Sequence, residues 1–350
     1  MMAGTDPDAV GAVGRIDGEL PWLSVLIPVY NVSAYIEACL RSVFEQIEGE
    51  RGIEVLVLDD AGTDDAWMKV ERMTLQYPQR LRLLRHAVNR GISAARNTLL
   101  AEATGQYVWF LDSDDVFLPG AIAGLRKVIQ SDAPDLVLCD FRFLYDRPNW
   151  HRRLRATRRR ASFDRGGTQA STDRNALARG LLQARQLHVW SKIGRRDVWR
   201  KAPFPEGRNF EDVSAIPALV AAVGSWRHVP HAWIGYRQRQ GSILSTMTQR
   251  SMQDHLSALC DLREGLAGPA NRLDADVQAA LDYFCLRALA NVARNLPPGN
   301  IALDGECRAC LAEIFPQSTT QVLDAWWKRG WGLRAWRAQR ALAARGWLKG

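Results

Sequence analysis

Between residues 23 and 141 the chain alternates short apolar runs with stretches of helical periodicity, and several of the runs end in polar or acidic residues. Leu23 to Val29, Ile53 to Leu58, Leu81 to Leu84, Tyr107 to Leu111 and Leu136 to Phe141 read as buried strands, because each is brief and mostly apolar. Between the first two, Ile36, Leu40, Val43, Phe44 and Ile47 recur at helical spacing behind Ser33 as a candidate cap. Further helices are expected over Ala66 to Tyr77, over Ile92 to Ala103 and from about Gly120. Strands alternating with helices predict an α/β fold with a mostly parallel central sheet flanked by helices. In such sheets ligands bind beyond the carboxyl ends of the strands, and here those ends carry Tyr30-Asn31, Asp59-Asp60 and Asp112 to Asp115.

The acidic end is the most pointed of the three. In Tyr107-Val-Trp-Phe-Leu-Asp-Ser-Asp-Asp-Val-Phe-Leu-Pro119 an apolar run stops abruptly at three carboxylates. Carboxylates this close resist ionising together unless a hard cation sits among them, and Mg²⁺ or Mn²⁺ held by one or two carboxylates normally also grips substrate phosphates. An acidic strand-to-loop turn is the alternative, since Asp and Ser are common turn residues.

Bulk composition is that of a soluble globular protein, with 47% hydrophobic and 24% charged residues in 350. No uncharged apolar run is long enough to span a bilayer, and the first 20 residues lack the basic-then-apolar order of a signal peptide, so the chain is expected to be cytoplasmic. Six scattered cysteines fit reduced thiols; Cys307-x-x-Cys310 is a weak metal or redox pattern without a second pair. The net charge of +8 is concentrated in two patches. Residues 151–160 contain six arginines, and residues 326–350 contain seven Lys or Arg with no acid. Such patches favour anionic partners. A basic loop over 146–175 is expected to be mobile, and after about residue 246 helical periodicity replaces strand signals. The domain reading is a tail over 1–20, an α/β domain over 21–245 and a helical region over 246–350.

Together, Ser-Val-Leu-Ile-Pro-Val-Tyr-Asn (24–31), Val-Leu-Asp-Asp-Ala-Gly-Thr-Asp (57–64), Asn89-Arg-Gly-Ile-Ser-Ala-Ala-Arg-Asn97 and Phe-Leu-Asp-Ser-Asp-Asp (110–115) resemble the family 2 glycosyltransferases, which have the GT-A nucleotide-sugar fold. Trp190-Ser-Lys-Ile-Gly-Arg-Arg, Phe210-Glu-Asp212 and Tyr236-Arg-Gln-Arg-Gln-Gly-Ser242 look like the acceptor half of the same family, so the resemblance runs from residue 23 to about 245. It implies an inverting, metal-dependent transfer of one sugar from a nucleotide sugar, most simply UDP-linked, to a hydroxyl of a saccharide or lipid-linked acceptor in surface polysaccharide or glycolipid synthesis. A sugar-phosphate nucleotidyltransferase would need a Gly-x-Gly-Thr-Arg loop that the sequence lacks, and a silent scaffold would be expected to have lost a site carboxylate.

By this resemblance Pro28, Tyr30, Asp59, Asp60, Arg96 and Asp112 bind the nucleotide sugar. Tyr30 would stack on uracil, Asp60 or Asp59 would accept its N3 proton, and Arg96 would meet diphosphate oxygens. Asp114, with Asp112, would hold Mn²⁺ or Mg²⁺ on the leaving diphosphate, and Asp115 would support the loop. Asp212 would be the base that takes the acceptor proton, with Glu211 beside it; a helix N-terminus is the plainer reading of that acidic pair. One departure bears on uracil recognition: Asp59-Asp60-Ala61-Gly62 stands where the family usually shows Asp-Asp-Gly-Ser.

The tail at 326–350 interleaves five tryptophans with its basic residues. That composition suits an anionic membrane surface, which would place the protein peripherally on the inner face of the cell membrane; packing onto the enzyme or a partner subunit is the alternative, and the oligomeric state stays open. Arg152 to Arg160 read as a second contact to such a surface, as a contact to a pyrophosphate-linked lipid acceptor, or as a solvated loop. No nucleic-acid module accompanies the basic residues, so a nucleic-acid partner is not expected.

Overall fold

The computed structural model describes residues 20–77, 81–146, 157–164, 169–238, 248–268, 273–297, 299–316 and 318–348. The expected tail over 1–20 therefore lies, apart from Leu20, outside the described residues, as do Arg152, Arg153 and Arg155 of the basic loop and Arg239 to Ser242.

Chain order is β1 (Leu23–Val29), α1 (Ile36–Ile47), β2 (Ile53–Asp59), α2 (Ala66–Thr74), β3 (Leu81–Arg85), α3 (Ile92–Glu102), β4 (Tyr107–Phe110), β5 (Val116–Phe117), α4 (Ala121–Asp132) and β6 (Leu136–Leu144). There follow α5 (Arg174–Ala184), β7 (Lys192–Arg195), α6 (Arg196–Arg200), α7 (Glu211–Ala222), β8 (Trp226–Arg237), α8 (Gln249–Ala267), α9 (Ala275–Asn295), α10 (Ile301–Ile314), α11 (Thr319–Lys328) and α12 (Gly332–Ala343). The eight strands form one mixed sheet in the order β3-β2-β1-β4-β7-β6-β8-β5. The four pairings among β1, β2, β3 and β4 and between β6 and β8 are parallel, while β7 runs antiparallel between β4 and β6 and β5 runs antiparallel to β8.

Strand alternation sends side chains to two cores, one on each face. In β1, Leu26 joins the cluster beneath α3, α5, α7 and the C-terminal helices, whereas Val25 and Ile27 join the cluster beneath α1, α2 and α4. Both faces being covered explains why the central strands are nearly all apolar. The C-terminal helices share the first cluster with the sheet, and Gly265 of α8 lets Pro217 of α7 approach so closely that a Cβ would lie 2.4 Å from its ring. Ser33 does not cap α1: its N–H donates to Asp64 at 2.7 Å, and Lys69 donates to its carbonyl at 2.8 Å.

Two expectations change. The part of the basic loop that is described is stitched to the sheet, through a Phe141–Arg160 bridge, a Ser171–Trp226 bridge and an ion pair from Arg159 to the fully buried Asp140. The tail is divided: Trp326 and Trp347 are each 2% exposed within the core, and Trp331 packs against it, while Trp327 and Trp336 face solvent. Gly330, at φ 76°, breaks the segment into α11 and α12, so no single helix carries all five rings. Among the described residues no helix is long and apolar enough to cross a membrane. Cys307 and Cys310 lie three residues apart on one helix, and Cys310 Sγ is 3.3 Å from Cys260 Sγ of α8.

Candidate active site

The carboxyl ends of β1, β2 and β4 lie side by side in the sheet, which brings their expected residues together. Tyr30 stands 48% exposed past β1, and Pro28 is buried within the strand opposite Leu58. Asp59 is tied into the turn that follows β2: its Oδ1 accepts from Gly62 N at 2.9 Å and its Oδ2 faces Arg85 Nε at 3.0 Å. Asp60 is held by a separate set. It accepts from Arg90 N at 2.9 Å and Gly91 N at 2.7 Å, and it pairs with His86 Nδ1 at 2.6 Å. His86 Nε2 in turn meets Thr98 Oγ1 at 3.0 Å, so a buried histidine fixes the carboxylate expected at uracil. Its place one residue beyond β3 was the available sequence signal, and the sequence reading passes over it.

The departure at Ala61 now has a physical meaning. Ala61 adopts φ 55°, the left-handed region that glycine occupies without penalty. At the following Gly62 a Cβ would lie 3.2 Å from Asp59 Oδ1, a tight approach to which the Asp59 side chain would have to yield. Ala61→Gly is therefore expected to stabilise the protein by about 0.5–1 kcal/mol, read as a raised midpoint of thermal unfolding; an unchanged or lowered midpoint would show that the Ala methyl makes compensating contacts.

Beyond β4 the three aspartates are unequal. Asp115 is fully buried, its Oδ1 accepting from Arg237 N at 2.8 Å, while among the described residues its Oδ2 has no hydrogen-bond partner. Burial pushes its carboxyl well above the ordinary range, and the neighbouring charges of Asp112 and Asp114 push it further. Asp112 and Asp114 are partly open to solvent. Among the described residues no group of three or more His, Cys, Asp or Glu is arranged to hold a metal on its own. One or two accessible carboxylates beside a repelling third is nevertheless the donor set that suits Mg²⁺ or Mn²⁺ shared with a diphosphate, so the residues fit such an ion.

Arg96 departs most from expectation. It is 4% exposed, its Nη2 donates to Asp112 Oδ1 at 2.7 Å, and its Nη1 donates to Glu211. Burial works against its charge, but Asp112 and Glu211 more than offset this and hold the guanidinium firmly protonated. The bond joins positions 115 residues apart in sequence, from α3 to the start of α7.

Glu211 and Asp212 open α7 behind Phe210, which takes φ 62° and stacks on His255 of α8 at 4.2 Å. A bulky residue in the left-handed region persists only where its surroundings impose it. Here Asp254 of α8 also accepts from Asn209 N at 3.0 Å, so a C-terminal helix sets the start of α7. Burial raises the Glu211 carboxyl while Arg96 opposes the rise. Asp212 Oδ2 lies 3.7 Å from His188 Nδ1, and the His188 ring stacks on Trp190 at 4.9 Å with 9° between planes. Burial lowers the pKa of His188 against the pull of Asp212. Lys192, buried beside them, donates to the His188 carbonyl at 2.7 Å, and burial brings its pKa down to about 7. Neither residue was singled out individually from sequence, although the Trp190-Ser-Lys motif includes Lys192 and begins two residues after His188.

Residues 24–185 match the family model described as Glycosyl transferase family 2. These residues form a family 2 glycosyltransferase domain. Curated relatives include glycosyltransferase GlyG of Streptococcus pneumoniae serotype 4, 23% identical over 64% of this chain and 73% of GlyG. Another is the uncharacterized glycosyltransferase YibD of Escherichia coli K12, 32% identical over 55% of this chain and 54% of YibD, so the chain spans about half the length of that relative. Among solved structures, S. aureus TarS residues 1–349 in complex with UDP-GlcNAc superposes with a TM-score of 0.69 at 18% identity, covering 93% of this chain and 92% of that one. This glycosyltransferase therefore has the GT-A fold together with the helical C-terminal region.

Proposed function

We propose that this glycosyltransferase moves one sugar, with inversion, from a UDP-linked donor to an acceptor hydroxyl, using a divalent cation. The observation that carries the reading is Arg96, whose guanidinium binds one carboxylate from the expected donor half, Asp112, and one from the expected acceptor half, Glu211. The two acidic motifs thus face a single site. In this reading Tyr30 stacks on the base, Asp60 accepts its imide proton, and Asp59 shapes the turn around it. Asp114, with Asp112, would hold Mg²⁺ or Mn²⁺, which supplies charge neutralisation for the departing diphosphate. Asp212 takes the acceptor proton, and Glu211 orients the acceptor from its ion pair with Arg96. His188 faces Asp212 and, stacked on Trp190, walls the acceptor side. TarS, which shares the fold, is crystallised with UDP-GlcNAc and with UDP, in keeping with a UDP-linked donor.

Residues 21–245 would form the transfer domain and 246–350 a helical unit that braces α7. The acceptor would be a saccharide or lipid-linked hydroxyl in surface polysaccharide or glycolipid synthesis, with 326–350 resting on the anionic inner face of the membrane. Two exposed rings, Trp327 and Trp336, and the surrounding basic residues support that placement. Asp114→Asn tests the metal assignment: Mn²⁺-dependent UDP binding, followed by calorimetry, is expected to weaken by about 100-fold, the loss of a charged ligand being worth several kcal/mol. Retained Mn²⁺-dependent affinity would move the cation elsewhere.

A further inference from the structure

The helical C-terminal region borders a concavity whose lining includes none of the residues assigned to transfer. A cavity of about 480 Å³ lies between α9 and α12 and adjoins another of about 270 Å³, the two sharing Arg185, Tyr283 and Arg334. Four further cationic or aromatic contributions complete the larger one: Arg287 and Arg294 from α9, Arg337 from α12, and Trp326 as part of the floor. Among the described residues no carboxylate lines it, while Asp164 lines the smaller one.

Other arginines in this region are satisfied by the protein. Arg329 pairs with Asp276 at 3.0 Å, Arg308 pairs with Asp304 at 2.7 Å, and Arg345 donates to the Ala293 carbonyl at 2.8 Å at the end of α9. The five arginines of the cavity differ. Among the described residues none of them pairs with a carboxylate; Arg294 reaches only the Asn291 side chain, at 3.4 Å, and Arg185 and Arg334 lie over the Tyr283 ring at 5.9 and 5.0 Å. Five guanidiniums gathered on one concave surface repel one another unless an anion is present, and their planar forks suit phosphate oxygens.

We propose that this cavity seats the phosphate headgroup of an anionic phospholipid. The choice of lipid over a soluble polyanion rests on what borders the arginines. Leu333, which lines the cavity, is 62% exposed, and Trp336, on the same helix, is 47% exposed with Arg340 over its ring at 5.6 Å. Apolar and aromatic side chains standing in water beside a cationic pocket suit the headgroup boundary of a bilayer. The inference rests on the membrane-surface reading given above and sharpens it. Diffuse attraction by the tail would depend on total charge, whereas a seated headgroup depends on Arg287 and Arg294, which lie outside the tail.

The test uses the full chain and phosphatidylcholine vesicles with and without phosphatidylglycerol, followed by sedimentation. Wild type is expected to bind only the anionic vesicles, and Arg287→Gln with Arg294→Gln is expected to weaken binding by about 30-fold, at roughly tenfold or less per basic residue. A charge-matched control, Lys328→Gln with Arg340→Gln, removes two tail charges that do not line the cavity, and its loss is expected to be smaller. Thermal unfolding of both variants checks that these exposed substitutions leave the fold intact. Equal losses in the two variants would overturn the headgroup site and leave membrane docking standing; no binding of wild type to anionic vesicles would overturn both. Thermal stabilisation by glycerol 3-phosphate or by a soluble phosphodiester oligomer, with no vesicle binding, would assign the cavity to a free phosphate ester or a polymer and reject the lipid.

Discussion

Asp212→Asn is expected to lower kcat by about 10²–10⁴-fold, the usual worth of a positioned general base, while leaving donor affinity unchanged. The amide keeps the shape and the helix position of Asp212 but cannot accept the acceptor proton. Its surroundings support this separation of roles, since Asp212 contacts Val213 N at 2.8 Å and faces His188, while the donor-side aspartates are held by other elements. Rates in both proteins would be compared with saturating donor, together with equilibrium donor binding. A variant that transfers at the normal rate would reject Asp212 as the base. A variant that loses donor binding in parallel would place Asp212 on the donor side of the sugar.

Arg96→Met should have the largest effect on stability. Removing one member of a buried ionic cluster leaves its partners uncompensated, which costs about 3–5 kcal/mol. The low end, about 3 kcal/mol, is expected here because the Asp112 side chain is 30% exposed and regains some hydration. Urea unfolding would report the loss as a lowered midpoint with an unchanged slope. Arg96→Lys keeps the charge but cannot span both carboxylates, so it should recover only part of the stability and should still loosen the site. A Met variant as stable as wild type would show that Asp112 and Glu211 do not depend on this guanidinium.

The difference between the Arg96 expected from sequence and the Arg96 found in the fold shows where local reading stops. Its position on α3 behind Gly91 follows from helical periodicity and from the glycine at φ 87°. Its partner Glu211 lies 115 residues away, and nothing in the local pattern of either segment specifies the other. The same limit applies to the sheet. Strands β1, β2 and β4 are mostly apolar runs, and the ends of β2 and β4 carry the acids that stand out in the sequence. Strand β7 is four residues, Lys-Ile-Gly-Arg, with a buried lysine and a glycine at which a Cβ would lie 2.8 Å from the Trp199 indole nitrogen. Such a segment becomes a strand only because β4 and β6 flank it. Strand β8 is disguised by Pro230, near which its pairing with β6 shifts register.

The tail shows a related effect. Composition presents five tryptophans as one feature, but burial is decided by α9 and α10, which take Trp326 and Trp347 into the core; Trp347 Nε1 donates to Asp304 Oδ1 at 2.7 Å. Amphipathic faces with imperfect wheels divide in this way once a neighbouring helix is present. The arginine cavity is assembled from α9, α12 and the end of α5, so it too is invisible to any single window of sequence.

The central claim is that the acidic ends of β4 and α7 form one site that transfers sugar from a nucleotide. It is tested most directly by incubating the full chain with a panel of UDP-, GDP-, TDP- and CMP-linked sugars and Mn²⁺, and by following nucleotide release and the anomeric form of the freed sugar. Slow, cation-dependent hydrolysis of one UDP-linked sugar with inversion is the predicted result; no release from any donor, or release with retention, would contradict it.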